Sequence, residues 1–543
     1  MINAESGQPS DPVQASLDEL AVDSVMAERV EEERAEESGA AADESIGRQA
    51  TAGVFWLTAQ RWAIRLLGFV TIAVLTRLLS PEDFGTVAAA STVLPFFFLI
   101  ADLGFAAYIV QVKDADRRML STAFWFSLIA GVLLCAVMVA IAPLLGVVFH
   151  DERVTPVLQS LSLWVVLTAF GSVPMALLRR RMQFRILALQ GAVAAVIAQV
   201  VAMAVAFAGL GVWALVAQSL VAPAVTTLLA WITSRWRPAM LFSWREFRVM
   251  AGFGGQVLGV EFVAMLRAWG EAAVISGTLG IAALGYMSIA QRLVQVVQDL
   301  TGSAIVPVTT VAFAKIREAR DRLRDAYLRA VRMTYAVLSL PLTVIAVTAP
   351  LVVPIVFGDG WEQSYTVARI LALGGVLTVG AALDHGLFYG LGKPGTWFVY
   401  ALVIDGLTLG TTFFLASQGL VAIAWGFLGV CIVATVSRWF LTGRLLETSA
   451  WTVAGPFGYL AVAVILSGGA GWLTLTLTAT WPAVLSIILV GAVVSVLHLA
   501  VTRLMAPDVL TEGFAMLARS KVGARLPFVR GARERAASRE VNT

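Results

Sequence analysis

Two arginines and a glutamine stand inside the first apolar stretch of the chain. The stretch starts near Ala52 and holds Gln60, Arg61 and Arg65. Residues four apart share one face of an α-helix, and at ~1.5 Å per residue Arg61 and Arg65 lie ~13 and ~20 Å along a helix that starts at Ala52. A guanidinium group binds two oxygens of a phosphate or carboxylate at once and stays protonated. The pattern predicts a site for an anion along this helix.

Further ionisable residues stand in later apolar stretches. Burying a charge in a lipid environment is costly, so each of these residues marks a candidate site. The predicted substrate-binding set consists of Gln60, Arg61, Arg65, Arg267 and Arg292. The predicted ion-coupling set consists of Glu261, Glu271, Asp384, His385 and Asp405. We expect a polar, partly cationic cavity that suits an anionic substrate such as a lipid diphosphate.

Several of these residues also have a structural interpretation. Arg267 and Glu271 are four apart, so they fit an internal ion pair. Arg292 fits an interfacial position from which its side chain reaches water. His385 fits a packed, hydrogen-bonded ring, although its neighbour Asp384 also allows a proton relay. The residue types alone leave these alternatives open.

The composition excludes a soluble protein. Of 543 residues, 59% are apolar and 14% are charged, and the mean hydropathy is +0.82, whereas soluble domains carry about 25% charged residues. Soluble enzymes, nucleic-acid binders and disordered scaffolds are therefore ruled out. Cys135 and Cys431 lie in apolar runs, and the three histidines are scattered. We expect no catalytic residue, no metal, no cofactor and no nucleic-acid partner.

Membrane-spanning helices must position these residues, and each such helix needs ~20 apolar residues. The apolar runs follow one another closely, with short connections that leave no room for an extramembrane catalytic domain. We predict an all-α polytopic membrane protein of about fourteen transmembrane helices. The predicted spans are 52–79, 85–111, 119–148, 156–178, 186–209, 212–234, 251–276, 286–313, 329–356, 364–390, 395–416, 419–442, 451–477 and 480–503.

Basic residues alternate with the predicted spans. The even-numbered connections carry arginine and lysine clusters, such as Arg179-Arg180-Arg181 and the segment from Lys315 to Arg324. The odd-numbered connections carry almost none, with Arg153 as the exception. Positive residues favour the cytoplasmic side of a membrane. The alternation predicts a multi-pass protein of the cytoplasmic membrane with both termini in the cytoplasm.

The sequence echoes itself at an offset near 200. The segment Arg77–Gly85 has its counterpart at Gly277–Gly285, and Asp102-Leu103-Gly104 has its counterpart at Asp299–Gly302. Six predicted spans separate the copies, so both copies cross in the same direction, which is a parallel repeat. The residues that we assign to turns or to bracing helix ends are Gly85, Gly285, Asp102 and Asp299.

The repeat and the composition divide the chain into five parts. Residues 1–50 hold thirteen acidic residues and three arginines, which predicts an acidic, disordered cytoplasmic tail. Two six-helix lobes are predicted at 51–248 and 249–447, two further helices at 448–504, and a basic cytoplasmic tail at 505–543. Two facing lobes enclose a central cavity, and rocking between them gives alternating access.

Several motifs of the chain resemble one family of transporters. The motifs are Gly53-Val54-Phe55-Trp56 with Arg77–Gly85, Ala101–Gly104 followed by Gln111, Leu284-Gly285-Tyr286 with Ala290–Leu293, and Pro341 with Ala349-Pro350 and Phe357–Trp361. In order and spacing they resemble the polysaccharide-transporter branch of the multidrug/oligosaccharidyl-lipid/polysaccharide exporters. The likeness covers about 50–445 and is greatest to Wzx-type flippases of the colanic-acid-like subgroup.

This resemblance implies fourteen helices in two lobes, no ATPase and a cationic lumen. It also implies that an undecaprenyl-diphosphate-linked oligosaccharide is flipped across the cytoplasmic membrane for surface polysaccharide or lipopolysaccharide biosynthesis. The implied partners are this lipid-linked oligosaccharide and membrane lipids, with a polysaccharide polymerase and glycosyltransferases as candidates. The chain departs from the family pattern in the seventh span, where Glu271 and Ser276 stand in place of aspartate and glycine.

Three alternative functions stay open. A cation-coupled small-molecule exporter of the multidrug type would favour an acidic and aromatic cavity over arginines. A membrane glycosyltransferase or ligase would need acidic residues at a membrane face and a sizeable external loop, whereas the predicted external loops are short and hold one acidic pair, Asp151-Glu152. A structural partner for a polymerase would not need charges buried in both lobes.

Overall fold

A computed structural model describes residues 64, 67–112, 115–316 and 318–509 of the protein. Each regular element in these ranges is a helix, which confirms the predicted all-α class. The predicted site residues Gln60, Arg61 and Arg65 lie outside the described residues, as do residues 1–50 and 510–543. Glu261 and Asp299 stand in described helices, but their side chains are outside the described set.

Eighteen helices make up the described ranges, and we number them in chain order. They are α1 Leu67–Leu78, α2 Pro81–Ser91, α3 Leu94–Asp102, α4 Phe105–Gln111, α5 Arg117–Val148, α6 Val154–Leu161, α7 Leu163–Arg180, α8 Phe184–Phe207, α9 Trp213–Ser234, α10 Trp244–Leu279, α11 Ile281–Lys315, α12 Arg320–Phe357, α13 Glu362–Thr378, α14 Ala381–Gly390, α15 Pro394–Leu415, α16 Leu420–Leu445, α17 Ala450–Leu477 and α18 Ala483–Met505. A short 3-10 turn at Ala416–Gln418 joins α15 to α16.

Eleven of the described helical stretches are long and apolar enough to cross a bilayer. The stretches outside this number include α10 and α11, which have the length but carry the charged residues predicted for the seventh and eighth spans. The structure therefore confirms a polytopic helical membrane protein, and the count of fourteen spans stays a prediction. Helices α1–α9 are called the N-terminal half below, and helices α10–α18 the C-terminal half.

The segment that opens the second predicted span has a local reason to start a helix. Ser80 is the N-cap of α2, where its side chain accepts a hydrogen bond from Asp83 N at 3.3 Å. The Asp83 carboxylate in turn accepts a hydrogen bond from Ser80 N at 3.1 Å, and Pro81 occupies the first helical position. This reciprocal capping satisfies donors that a helix start leaves unpaired.

The second predicted span, 85–111, is broken into α2, α3 and α4. The second break falls at Leu103 and Gly104, which both adopt left-handed backbone conformations with φ of 48° and 71°. Asp102 lies buried beside this break, where its carboxylate accepts a hydrogen bond from Ala106 N at 3.3 Å and another from the hydroxyl of Ser172. Asp102 thus braces the start of α4 and ties it to α7.

The two halves of the chain cross at a pair of glycines, Gly85 on α2 and Gly285 on α11. The two glycines are 200 residues apart in the sequence. A Cβ atom on Gly85 would overlap the carbonyl oxygen of Ile281, and a Cβ atom on Gly285 would overlap the carbonyl oxygen of Pro81. The two contacts are related by the same offset as the sequence repeat. Only glycine lets these backbones approach so closely, as in other membrane helix crossings.

Further contacts join the halves at the same end of the helices. The buried Trp361 donates its indole N–H to the carbonyl of Thr76 at 3.1 Å and packs edge-on against Phe84, with ring centroids 5.2 Å apart. The guanidinium of Arg77 donates to the carbonyl of Ile355 at 2.6 Å. We call this the outer end, because the charge alternation predicts that the connections at 79–80, 149–153, 280 and 358–361 face away from the cytoplasm.

The loop at 149–153 is fixed to the N-terminal half at the outer end. The Asp151 carboxylate accepts hydrogen bonds from the hydroxyl of Thr86 at 2.8 Å and from the Arg153 guanidinium at 3.1 Å. Partial burial raises the pKa of the Asp151 carboxyl, but these hydrogen bonds outweigh burial and hold its pKa below the ordinary value. Asp151 is therefore charged at neutral pH and anchors the loop.

The hydrophobic core is shared at the outer end and divided beyond it. One buried cluster at the outer end takes residues from both halves, among them Leu75, Phe149 and Phe357. A second cluster, around Leu342, comes from the C-terminal half alone. A third, around Phe124, comes from the N-terminal half and the first turns of α10. Among the described residues, the halves share one core at the outer end, while toward the opposite end most of the C-terminal half has its own core and the start of α10 packs with the N-terminal half.

Candidate functional site

Arg292 lies on the side of α11 that meets the N-terminal half. It lies on α11 seven residues after Gly285, so a period of 3.6 residues places both on the face that α2 crosses. Its side chain is exposed to solvent. Among the side chains that the structure describes, no carboxylate lies within ion-pair distance of Arg292. Arg292 is thus a cation about two helical turns from the glycine crossing, without a counter-ion in the described part of the chain.

A second polar region is a cavity of about 580 Å³ inside the C-terminal half. Residues of α10, α11, α13, α14, α15 and α16 line it. Its polar wall combines the side chains of Gln291, Gln295 and Gln298 from successive turns of α11 with Arg267 of α10 and Tyr400 of α15. The sequence predicts a cavity between the lobes; this cavity lies within one of them.

Arg267 joins two of the predicted ion-coupling acids in this cavity wall. Its guanidinium lies 2.7 Å from a carboxylate oxygen of Glu271 and 2.8 Å from a carboxylate oxygen of Asp405. The i, i+4 spacing of Arg267 and Glu271 predicts the first contact, but no sequence signal links either residue to Asp405 on α15. With all three side chains charged, the triad carries a net charge of −1, so the charge of Arg267 is compensated by its neighbours.

Asp384 lies in a second, buried network, whose Arg438 also lines the cavity. Its carboxylate pairs with Arg438 at 3.0 Å, and both side chains are buried. The same carboxylate accepts hydrogen bonds from the hydroxyl of Tyr327 and, at 3.1 Å, from that of Thr442. The guanidinium of Arg438 also donates to the carbonyl of Leu377 at 2.9 Å. The network joins α12, α14 and α16, with the charges of Asp384 and Arg438 neutralising one another.

Sequence reasoning missed Arg438. It stands in the predicted span 419–442 as an isolated charge, and the signal that could have found it was the need of Asp384 for a buried cation. A buried carboxylate without a partner is strongly destabilising. Asking which cation on another span could serve Asp384 narrows the choice to a few arginines that include Arg438, since Arg332 and Arg438 stand at similar distances from the ends of their predicted spans.

His385 does not share the network of its neighbour. Its ring packs against the rings of Tyr389 and Trp397, with centroid distances of 4.2 and 5.7 Å. Successive residues on a helix point in different directions, which is why His385 and Asp384 lie apart. Of the predicted ion-coupling set, the structure brings together Glu271 and Asp405, and it places Asp384 and His385 in separate surroundings.

Comparison with known proteins finds one matching family and several proteins with similar sequences. Residues 74–366 match the model of a family described as "Polysaccharide biosynthesis protein". The succinoglycan biosynthesis transport protein ExoT of Rhizobium meliloti is 27% identical over 71% of this chain and 78% of its own length. The lipopolysaccharide biosynthesis protein WzxC of Escherichia coli is 24% identical over 73% of this chain and 81% of its own length.

Two solved structures share the fold. The lipid II flippase MurJ, in an inward closed conformation, superposes with a TM-score of 0.69 at 13% identity, covering 84% of this chain and all of the other. A multidrug resistance MATE family transporter of the MOP superfamily, in an inward-facing conformation, gives a TM-score of 0.58 at 17% identity over 71% of this chain and 96% of the other.

Proposed function

The chain belongs to the polysaccharide biosynthesis protein family, and from that premise we propose that it is a flippase for a lipid-linked oligosaccharide. It translocates an undecaprenyl-diphosphate-linked oligosaccharide across the cytoplasmic membrane for surface polysaccharide biosynthesis. The observation that carries the proposal is Arg292, an exposed arginine on the face of α11 that α2 crosses, with no carboxylate at ion-pair distance among the described side chains. It is placed to pair with the substrate's diphosphate.

The need for such a protein follows from the chemistry of the substrate. An oligosaccharide that crosses the hydrocarbon core unaided leaves many hydroxyl groups without hydrogen-bond partners, at a cost of several kcal/mol for each group. The diphosphate adds a charge that the core does not solvate. A water-accessible space with a fixed arginine lowers both costs, because water keeps the hydroxyls satisfied and the guanidinium binds two phosphate oxygens.

The same proposal assigns parts of the chain to parts of the mechanism. The lobes are residues 51–248 and 249–447, and residues 448–504 add two helices to them. Both termini lie in the cytoplasm. The triad of Arg267, Glu271 and Asp405 is the candidate element for ion coupling, since its net negative charge attracts a proton or a metal cation. The protein moves its substrate without making or breaking a covalent bond, and it acts alongside glycosyltransferases and a polymerase.

The test is a translocation assay in vesicles that contain the purified protein. A fluorescent undecaprenyl-diphosphate oligosaccharide is followed as it becomes accessible to an impermeant quencher on the opposite leaflet. We expect Arg292→Gln to slow translocation at least tenfold, because hydrogen bonds to charged groups contribute about 1.5–3 kcal/mol. Arg292→Lys should retain part of the rate. Arg322→Gln, which removes an exposed arginine at the start of α12, is the matched control.

The outcomes separate the competing functions. A wild-type protein that leaves the lipid in place but extrudes small organic cations is a multidrug-type exporter. A wild-type protein that changes the covalent structure of the lipid is a transferase or ligase. Translocation at the wild-type rate by Arg292→Gln would keep the flippase and remove Arg292 from the mechanism.

A further inference from the structure

A second arginine of the C-terminal half, Arg369, lines a recess to which α10 and α11 contribute no residue. The recess has a volume of about 500 Å³ and is formed by α12, α13, α16 and α17. Its walls are mostly apolar and include Val347 of α12 and Val464 and Ile465 of α17. Gly468 and Gly469 also line it, and because they have no side chain they leave the recess open. Arg369 of α13 is the charged residue among its lining side chains.

The partners of Arg369 leave most of its guanidinium free. Its Nε donates to the carbonyl of Ala346 at 3.2 Å, which fixes the orientation of the planar group. Within the described ranges, no carboxylate lies within ion-pair distance of Arg369, and no other partner is recorded for its two terminal nitrogens. These two nitrogens form the edge of the fork that binds two oxygens of one phosphate.

The recess has a polar end and an apolar end, as a lipid has. Arg369 is seven residues from the start of α13 at Glu362, which is ~10 Å at ~1.5 Å per residue. Trp425 and Trp472 flank the recess and are 57% and 54% exposed. Each is five residues from its helix end, or ~7.5 Å. Exposed tryptophans mark the membrane–water interface, so Arg369 lies near headgroup level, while Val347 and Gly468 continue the recess toward the bilayer centre.

We propose that this recess binds an anionic phospholipid of the surrounding bilayer, with the phosphate on Arg369 and one acyl chain along Gly468 and Gly469. The site is separate from the crossing of the halves, because its lining comes from α12, α13, α16 and α17, whereas α2 and α11 form the crossing. A recess of this volume holds a phosphate and part of a chain, and it does not hold an oligosaccharide as well. The bound lipid fills the gap between α17 and the helices behind it and fastens α17 to them.

The experiment counts lipids on the purified full-length protein. The protein is incubated with phosphatidylglycerol or with phosphatidylcholine, and native mass spectrometry records the lipids that survive mild activation. We expect wild type to retain one phosphatidylglycerol more than Arg369→Gln. Its affinity for that lipid should be at least tenfold higher than that of the variant, since one charge-assisted contact is worth about 1.5–3 kcal/mol. Arg322→Gln removes the same charge outside the recess and should behave as wild type.

A second variant keeps the test independent of any folding defect of Arg369→Gln. A Cβ atom on Gly469 would meet nothing within 4 Å, so Gly469→Leu starts its side chain in open space, and the rest of that side chain should take the place of the acyl chain. It should also lose the retained lipid although Arg369 is unchanged. Brominated phosphatidylglycerol provides an optical readout, because it should quench wild type more than Trp425→Phe, whereas brominated phosphatidylcholine should not distinguish them.

Three results would overturn the proposal. In the first, both variants retain phosphatidylglycerol as wild type does. In the second, phosphatidylcholine binds as tightly as phosphatidylglycerol. In the third, undecaprenyl diphosphate displaces the bound phosphatidylglycerol at a much lower concentration, which assigns the recess to the transported lipid. Translocation is measured in a separate assay, so failure of this proposal and failure of the flippase function are distinguishable.

Discussion

At the scale of single residues, Arg438 and Arg267 show two ways of holding a charge within the C-terminal half. The guanidinium of Arg438 is buried and contacts Asp384 and the carbonyl of Leu377. Arg267 is partly exposed, borders the cavity and faces two carboxylates. The first arrangement is buried and neutral. The second has a net charge of −1 when all three side chains are charged, and both arginines line the same cavity.

We predict that Arg438→Met destabilises the protein by about 3–5 kcal/mol, because it leaves the Asp384 carboxylate buried without a counter-ion. The double variant Asp384→Asn with Arg438→Met should regain most of this loss, since it buries no charge. The free energy of unfolding of the detergent-solubilised variants, from denaturant titration, measures both effects. Equal destabilisation of the single and double variants would show that packing, and not the ion pair, holds this region together.

The sequence predicts charged residues inside spans more readily than it predicts their partners. Arg267 and Glu271 are close in sequence, so helical spacing is enough to pair them. Asp405 and Arg438 reach their partners from other helices, and nothing in the spacing of one helix determines which neighbour it meets. For the same reason the apolar runs predict where Arg292 stands along the chain, while the surroundings of its side chain depend on how α2 and α11 cross.

At the scale of helices, the crossing of α2 and α11 determines how the halves meet. Gly85→Ala should therefore loosen the outer end and lower the free energy of unfolding by about 1–3 kcal/mol, the usual cost of forcing extra atoms into a packed contact. Thermal unfolding checks the loss. Gly191→Ala on α8 is the matched control, because a Cβ atom there meets nothing within 4 Å. If Gly85→Ala unfolds at the same temperature as the control, the crossing does not hold the halves together.

Helix ends and helix breaks differ in how far the sequence predicts them. Long apolar runs mark most helix ends to within a few residues. The break between α13 and α14 has a tertiary cause, since the Gly380 N–H donates to the hydroxyl of Tyr335 at 3.2 Å and that hydroxyl donates to the carbonyl of Leu377 at 3.0 Å. Tyr335 comes from α12, so the run 364–390 predicts one span where the structure has two helices.

At the scale of the whole molecule, the shared core at the outer end and the divided cores beyond it describe one state of a transporter. The halves pack together at the outer end, through the shared core and the contacts of Trp361 and Arg77. Two packings of the same helices with a small difference in free energy are the usual basis of alternating access. The outer-end contacts of Trp361 and Arg77 must break in the other state.

This state predicts the accessibility of position 292. With Cys135 and Cys431 replaced by alanine, Arg292→Cys should react with an impermeant maleimide added on the cytoplasmic side, and slowly or not at all with reagent added outside. Arg153→Cys, in the outer loop, is the matched control and should react from outside only. Labelling of inside-out vesicles and of intact cells measures the difference. Equal labelling of Arg292→Cys from both sides would contradict an outer end that is closed at rest.

The symmetric glycine crossing has a consequence for the ancestry of the chain. Gly85 contacts the backbone of Ile281, four residues before Gly285, and Gly285 contacts the backbone of Pro81, four residues before Gly85. Such reciprocal contacts are the geometry of an isologous dimer interface, here within one polypeptide. In a homodimer of single halves, one codon would encode both glycines of the interface, and one substitution would disrupt both contacts at once. Fusion of two such halves separates the codons but not their constraint, so the two positions are expected to stay glycine while the surrounding repeats diverge.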